Sequence, residues 1–116
     1  MTAFQDPAHS VDPAEAQRLI DGRDAQIIDV REEYEHEAGH IPGDRHLDLQ
    51  HVALETDSID TDRPVIFYCR AGIRSAMPTE AFRAAGWEAY NLTGGLLAWT
   101  AADQTIEPAD GEVAPH

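Results

Sequence analysis

One sulfur and two guanidiniums close behind it are the residues of this 116-residue chain whose types and spacing could do covalent chemistry. In Tyr68-Cys69-Arg70-Ala71-Gly72-Ile73-Arg74-Ser75 the chain's single cysteine follows a short apolar run, and a glycine-containing turn and a helical pattern follow it. Parallel sheets gather ligands at the carboxyl ends of their strands, so Cys69 stands where chemistry is done. A helix amino terminus offers unpaired amides and a positive dipole end, and with Arg70 and Arg74 beside it the thiolate is favoured. The same amides can cradle an anion or a charged sulfur adduct. The competing reading is a small buried hydrophobe at a strand end. Two Arg and a Gly in the next five residues weigh against it.

The elements that must position this loop are legible as alternating patterns. Asp12 is placed as an N-cap, with Pro13 at the first helical position and Glu15 completing a capping box. Ala16, Leu19 and Ile20 then form an apolar face, and Gly22 is the expected stop. Ile27–Val30 and Val65–Tyr68 are short β-branched or aromatic runs, suited to strands buried on both faces of a parallel sheet. Weaker strands are expected at 45–47 and 88–92. From Ser75 to Ala85, Met77, Ala81, Phe82 and Ala85 recur at helical spacing, with Ser75 as N-cap, Pro78 tolerated in the first turn and Gly86 closing the segment. Gly94-Gly95 opens a last apolar helix, 96–101, containing Trp99. Strands alternating with helices at this spacing predict an α/β fold with right-handed crossovers.

This length fits one domain, expected over residues 10–102. The polar stretches 1–9 and 103–116 are expected to lie outside the core as flexible termini. With 22 acidic residues against eight Arg and no Lys, the net charge is −14, which excludes a general nucleic-acid binder. One cysteine excludes an internal disulfide framework and a CxxC redox pair. No apolar run is long enough to span a membrane, and the start, MTAFQDPAHS, lacks the n- and h-regions of a signal peptide, so a soluble, cytoplasmic protein is expected. A carboxylate-rich surface without Lys suits work in concentrated salt, where it holds hydration while the Debye length shrinks to about 3 Å near 1 M. The alternative for the acidity is lineage drift with a face for basic partners.

The motif CRAGIRS resembles the active-site loop of rhodanese domains. Three further segments agree in order and spacing: Asp29-Val30-Arg31-Glu32 after a strand, Gly39-His40-Ile41-Pro42-Gly43 before the next, and Gly94-Gly95-Leu96-Leu97-Ala98-Trp99 near the end. The resemblance covers roughly residues 10–102. It implies a rhodanese-like fold, a central parallel sheet of about five strands with helices on both faces, and Cys69 as the residue that takes up sulfane sulfur. It also implies the reaction. Thiolate attack on a donor such as thiosulfate releases sulfite and leaves a Cys69 persulfide, which passes its sulfur to cyanide or a thiol in a ping-pong scheme. No cofactor or metal is called for.

Within that resemblance the backbone amides of Arg70, Ala71, Gly72, Ile73, Arg74 and Ser75 hold the persulfide, and the guanidiniums of Arg70 and Arg74 attract the donor and stabilise departing sulfite. Ser75 is weighted towards a helix cap over a catalytic group. Asp29 is expected to fix the loop through a backbone or Arg pairing, and Arg31 either reaches donor oxygens or pairs with Glu35. Related cell-cycle phosphatases and tyrosine phosphatases place five residues between Cys and Arg. Here four intervene, Arg70 to Ile73, a tighter nest suited to a terminal sulfur, and no loop acid is placed to protonate an alkoxide. A sulfur-relay or regulatory module loaded by a partner protein, with a protein as sulfur acceptor, is the alternative function.

His36-Glu37-Ala38-Gly39-His40 matches the HExxH zinc pattern, but Gly39 weakens the helix this needs and Ile41-Pro42-Gly43 breaks it. No metal is expected there. Trp87 and Trp99 read as packing residues, and Glu32, Glu33, Glu35 and Glu37 as a solvated face. Asp44 departs from the resembled pattern, which carries a small apolar residue after the GHIPG turn. Pro78 departs from it as well.

Overall fold

The computed structural model describes residues 7–116. Five short strands, β1 (Ser10–Val11), β2 (Gln26–Asp29), β3 (Arg45–His46), β4 (Val65–Tyr68) and β5 (Ala89–Leu92), form one sheet in the order β1-β5-β4-β2-β3. All four pairings are parallel. The two-residue β1, below the length at which alternation is readable, was not expected from the sequence.

Side chains alternate across β4, so Ile66 and Tyr68 enter one apolar cluster while Val65, Phe67 and Cys69 enter the other. The first is covered by α1 (Pro13–Arg23) and α5 (Gly95–Ala101), the second by α3 (Leu49–Val52) and α4 (Ala76–Ala84). A further short helix, α2 (Glu33–Ala38), follows β2. Burial on both faces is why the central strands read as continuous apolar runs.

The capping box at Asp12 and Glu15 forms as expected, with both bonds in place at 2.8 and 2.9 Å. The stop does not. Helix α1 runs through Gly22 to Arg23, and Asp24 takes the left-handed position instead, at φ 54°. Aspartate tolerates that region, and the Ala25 amide closes the end on the Leu19 carbonyl at 3.2 Å.

The expected apolar face of α4 is also corrected. Of Met77, Ala81, Phe82 and Ala85, only Phe82 is buried. The helix leaves the cysteine loop with Ser75 turned inward, which sets its phase: Ala76, Thr79 and Phe82 follow into the interior. Met77, Ala81 and Ala85 are left to line a shallow apolar groove with Leu49, Val52 and Trp87.

The C-terminal stretch 103–116 does not lie outside the core. His40 and Glu107 exchange backbone hydrogen bonds at 2.9 and 2.8 Å, the Glu112 amide donates to the Ala38 carbonyl at 2.8 Å, and Ala114 is buried. Ile106 and Val113 pack on the first cluster. Of the N-terminal stretch 1–9, residues 1–6 fall outside the described part. No helix among the described residues is long and apolar enough to cross a membrane.

Candidate active site

Cys69 is the first residue after β4, and its sulfur is nearly enclosed. The Gly72 amide donates to Sγ at 3.1 Å and the Ser75 hydroxyl lies 3.3 Å from it. Gly72 reaches that orientation at φ 92°, in the left-handed region. A Cβ there would stand 3.0 Å from the Gly94 amide nitrogen, so the glycine also admits the approach of the turn before α5.

That turn braces the loop from outside. The Leu96 and Leu97 amides, in the first turn of α5, donate to the Cys69 and Arg70 carbonyls at 2.9 and 3.1 Å. A Cβ on Gly95 would press into those same two carbonyls, which is the reason for the paired glycine. From β5, Asn91 donates to the Gly72 carbonyl at 2.9 Å and accepts from the Ser75 hydroxyl at 2.5 Å.

Ser75 occupies the N-cap position of α4 but its side chain caps nothing. The hydroxyl stands between Cys69 Sγ and Asn91 Oδ1, because α4 begins in helical backbone that turns the side chain inward. Arg74 does not stand free as an anion attractor. Its guanidinium donates twice to Glu35, at 2.9 and 2.8 Å, with the Glu35 side chain wholly buried. Burial alone would raise the Glu35 carboxyl, yet the Arg74 bonds and the Glu32 amide hold it below the ordinary range. Glu35 therefore leaves the group read as a solvated face.

Arg31 pairs with Asp29 and not with Glu35. It is fully buried and clasps Asp29 through Nε and Nη2 at 2.9 and 2.8 Å, with Nη2 also donating to the Gly39 carbonyl at 2.7 Å. Burial pushes the Asp29 carboxyl up, but its Arg31 bonds outweigh this and hold it low. The expected Asp29 to Arg pairing is present, and it fixes the corner from β2 to α2. Among its hydrogen bonds none reaches the cysteine loop.

A pocket of about 230 Å³ opens at the sulfur, lined by Cys69, Arg70, Ala71, Ile73, Arg74 and His116. Arg70 Nε donates to the Ala114 carbonyl at 3.2 Å, so the C-terminal segment forms one wall.

This frame matches the rhodanese-like domain family over residues 12–102. The chain belongs to that family. Within it, the chain is similar to a sulfurtransferase of Allochromatium vinosum, 32% identical over 97 residues that cover 83% of this chain and 91% of the relative. It is also similar to the thiosulfate sulfurtransferase GlpE of Coxiella burnetii, 34% identical over 94 residues covering 80% and 88%. The uncharacterized protein YqhL of Bacillus subtilis is 44% identical over 78 residues, covering 66% of this chain and 62% of that protein. A crystal structure of a rhodanese-related protein from Thermoplasma volcanium superposes with a TM-score of 0.78 at 21% identity, over 84% of this chain and 96% of that one.

Three contributors to this rhodanese-like site escaped the sequence reading. Asn91 interrupts the apolar run of β5, a polar residue in a buried strand that marks a side chain with a polar partner. Glu35 lay hidden among exposed neighbours. The packing of the C-terminal segment left no local signal.

Proposed function

We propose that this rhodanese-like domain is a sulfurtransferase that moves sulfane sulfur from thiosulfate or a similar donor to a thiol or cyanide through a Cys69 persulfide. The observation that carries this reading is the convergence of the Gly72 amide and the Ser75 hydroxyl on Cys69 Sγ. A donor fixed on a sulfur, here the Gly72 amide, stabilises its anionic forms without reorganising during reaction, and the Ser75 hydroxyl adds a second by turning its proton from Asn91 Oδ1.

The Cys69 thiolate attacks the outer sulfur of thiosulfate, a sulfur–sulfur bond forms as the old one breaks, and sulfite leaves with the electron pair. The acceptor thiolate or cyanide then attacks the outer persulfide sulfur, and Cys69 departs as thiolate. In this scheme the amides from Arg70 to Ser75 hold the persulfide, that of Gly72 standing on the sulfur already. Arg70 is the guanidinium that meets the donor, while Arg74, neutralised in part by Glu35, holds the loop and adds local positive charge. Asp29 and Arg31 support the site at a distance as a buried clasp.

Relatives named as sulfurtransferases support the reaction class. Incubation with thiosulfate followed by intact mass measurement tests it: the chain gains one sulfur atom and Cys69→Ser gains none. A chain that stays unmodified and lacks thiosulfate:cyanide activity overturns the proposal.

One observation favours a second reading, a relay loaded by a partner protein's persulfide. Ile73 is an apolar side chain of the loop that is 70% exposed beside a nearly closed sulfur. Loading by a protein persulfide but not by free thiosulfate selects this reading. We further propose that the acidic surface serves a salt-rich, cytoplasmic setting.

A further inference from the structure

The segment from α2 to the turn before β3 gathers imidazoles and carboxylates that the sulfur chemistry does not use. Helix α2 ends at Ala38, so the continuous helix that the HExxH pattern needs is indeed broken. The two imidazoles meet nonetheless. The chain turns after Gly39, and the His36 and His40 rings stack with centroids 4.0 Å apart. Asp44 comes up beneath them from the turn, its Oδ1 3.0 Å from His40 Nδ1 and its Oδ2 3.6 Å from His36 Nδ1.

From these positions we propose that His36, His40 and Asp44 form a binding site for a divalent transition metal ion of the zinc class. One ligand atom from each residue lies within 4.8 Å of the others. Bonds of about 2.0–2.2 Å in tetrahedral geometry separate ligand atoms by about 3.3–3.5 Å. The distances from His40 Nδ1 to Asp44 Oδ1 and from His36 Nδ1 to Asp44 Oδ2, 3.0 and 3.6 Å, lie on either side of that span, and His36 completes the set by turning its ring away from its bond to Asp29. Two imidazoles and a carboxylate are a borderline donor set that suits Zn²⁺ or Co²⁺ over Ca²⁺ or Mg²⁺.

Charge points the same way. The Asp44 side chain is 1% exposed, and its described partners are the Tyr68 hydroxyl at 2.6 Å and the two imidazoles, with no guanidinium among them. A buried carboxylate requires a compensating cation or strong donors. Asp29, close by on His36 Nδ1, already has Arg31. A metal ion taking the place of the proton between His40 and Asp44 supplies the charge that this second carboxylate lacks. Its entry path is open, because the His36 and His40 side chains are about a fifth exposed. The Tyr68 hydroxyl orients Asp44 from behind, as an outer partner does in a metal site. The fourth coordination position is left for water.

The test titrates Co²⁺ into the full chain near neutral pH, following visible absorption and thermal melting. One equivalent saturates a tetrahedral Co²⁺ spectrum and raises Tm. His40→Ala and the near-isosteric Asp44→Asn each weaken binding at least about tenfold, and Cys69→Ser leaves the spectrum unchanged. If Asp44→Asn fails to fold, the partly exposed His36→Ala takes its place. Absence of a saturable spectrum in the folded chain overturns the proposal. So does binding that survives every ligand substitution, or that disappears with Cys69→Ser.

Discussion

Arg74 and Glu35 form a two-pronged ion pair, at 2.9 and 2.8 Å, that ties the cysteine loop to the helix after β2. Their separation of 39 positions makes this a clamp between two crossovers of the sheet. Breaking a buried pair at one partner costs about 3–5 kcal/mol. Since the Arg74 side chain is a fifth exposed, Glu35→Gln is expected to lower stability by about 2–4 kcal/mol by chemical denaturation.

The same pair predicts a pH dependence. The Glu35 carboxyl is held below its ordinary value, which is about 4.3 in an unfolded chain. Its contribution is therefore complete above that value and is lost as pH falls through the lower folded one. The Tm gap between the native chain and Glu35→Gln should stay constant from about pH 7 to 5 and narrow below about pH 4. A gap that persists undiminished at lower pH contradicts the clamp.

Ser75→Ala separates a packing residue from a sulfur partner. Removing a fixed donor from an acyl-transfer anion costs about 100–1000-fold in turnover. The Ser75 hydroxyl has one proton, held on Asn91 Oδ1 at 2.5 Å, and must turn it to the sulfur to stabilise an anion there, so kcat/KM for thiosulfate:cyanide transfer should fall by less, about 10-fold. An unchanged kcat/KM with lowered stability would assign Ser75 to packing alone.

Two glycines give opposite outcomes on replacement by alanine. Gly95 has φ 61° and its Cβ would press into the Cys69 and Arg70 carbonyls, so Gly95→Ala should destabilise by about 2–4 kcal/mol. Gly22 lies within α1 with open space around it, and Gly22→Ala should stabilise by about 0.5–1 kcal/mol. Urea unfolding of both variants checks the pair.

The surface charge predicts a salt effect on catalysis. At −14 the chain repels a dianion in dilute buffer, and that long-range repulsion fades as the Debye length falls from about 10 Å at 0.1 M to about 3 Å at 1 M. The KM for thiosulfate should fall between these conditions. A flat or rising KM, with the fold intact, separates the acidity from salt.

Cys69 at a strand end, the short turn to Arg74 and the paired glycines at the start of α5 were legible because each is a local signal. Pattern and capping likewise marked four of the five strands within one residue of their observed bounds, and the start of α1. The face of α4 was not legible. Helical period gives a stripe, but the phase of this helix is set by a loop that turns Ser75 towards sulfur, so polar Ser75 and Thr79 are buried while Met77 faces out.

The main elements, their order and the cysteine at the end of β4 were thus determined by the sequence itself, since they depend on neighbours within a few residues. Only the tertiary structure decided which of 22 carboxylates meets which of eight guanidiniums. It paired Arg74 with Glu35 and Arg31 with Asp29, folded the C-terminal segment against Arg70, and brought His36, His40 and Asp44 together. Such partnerships depend on where the crossovers place distant side chains. Charge pairing has no sequence period from which to read them.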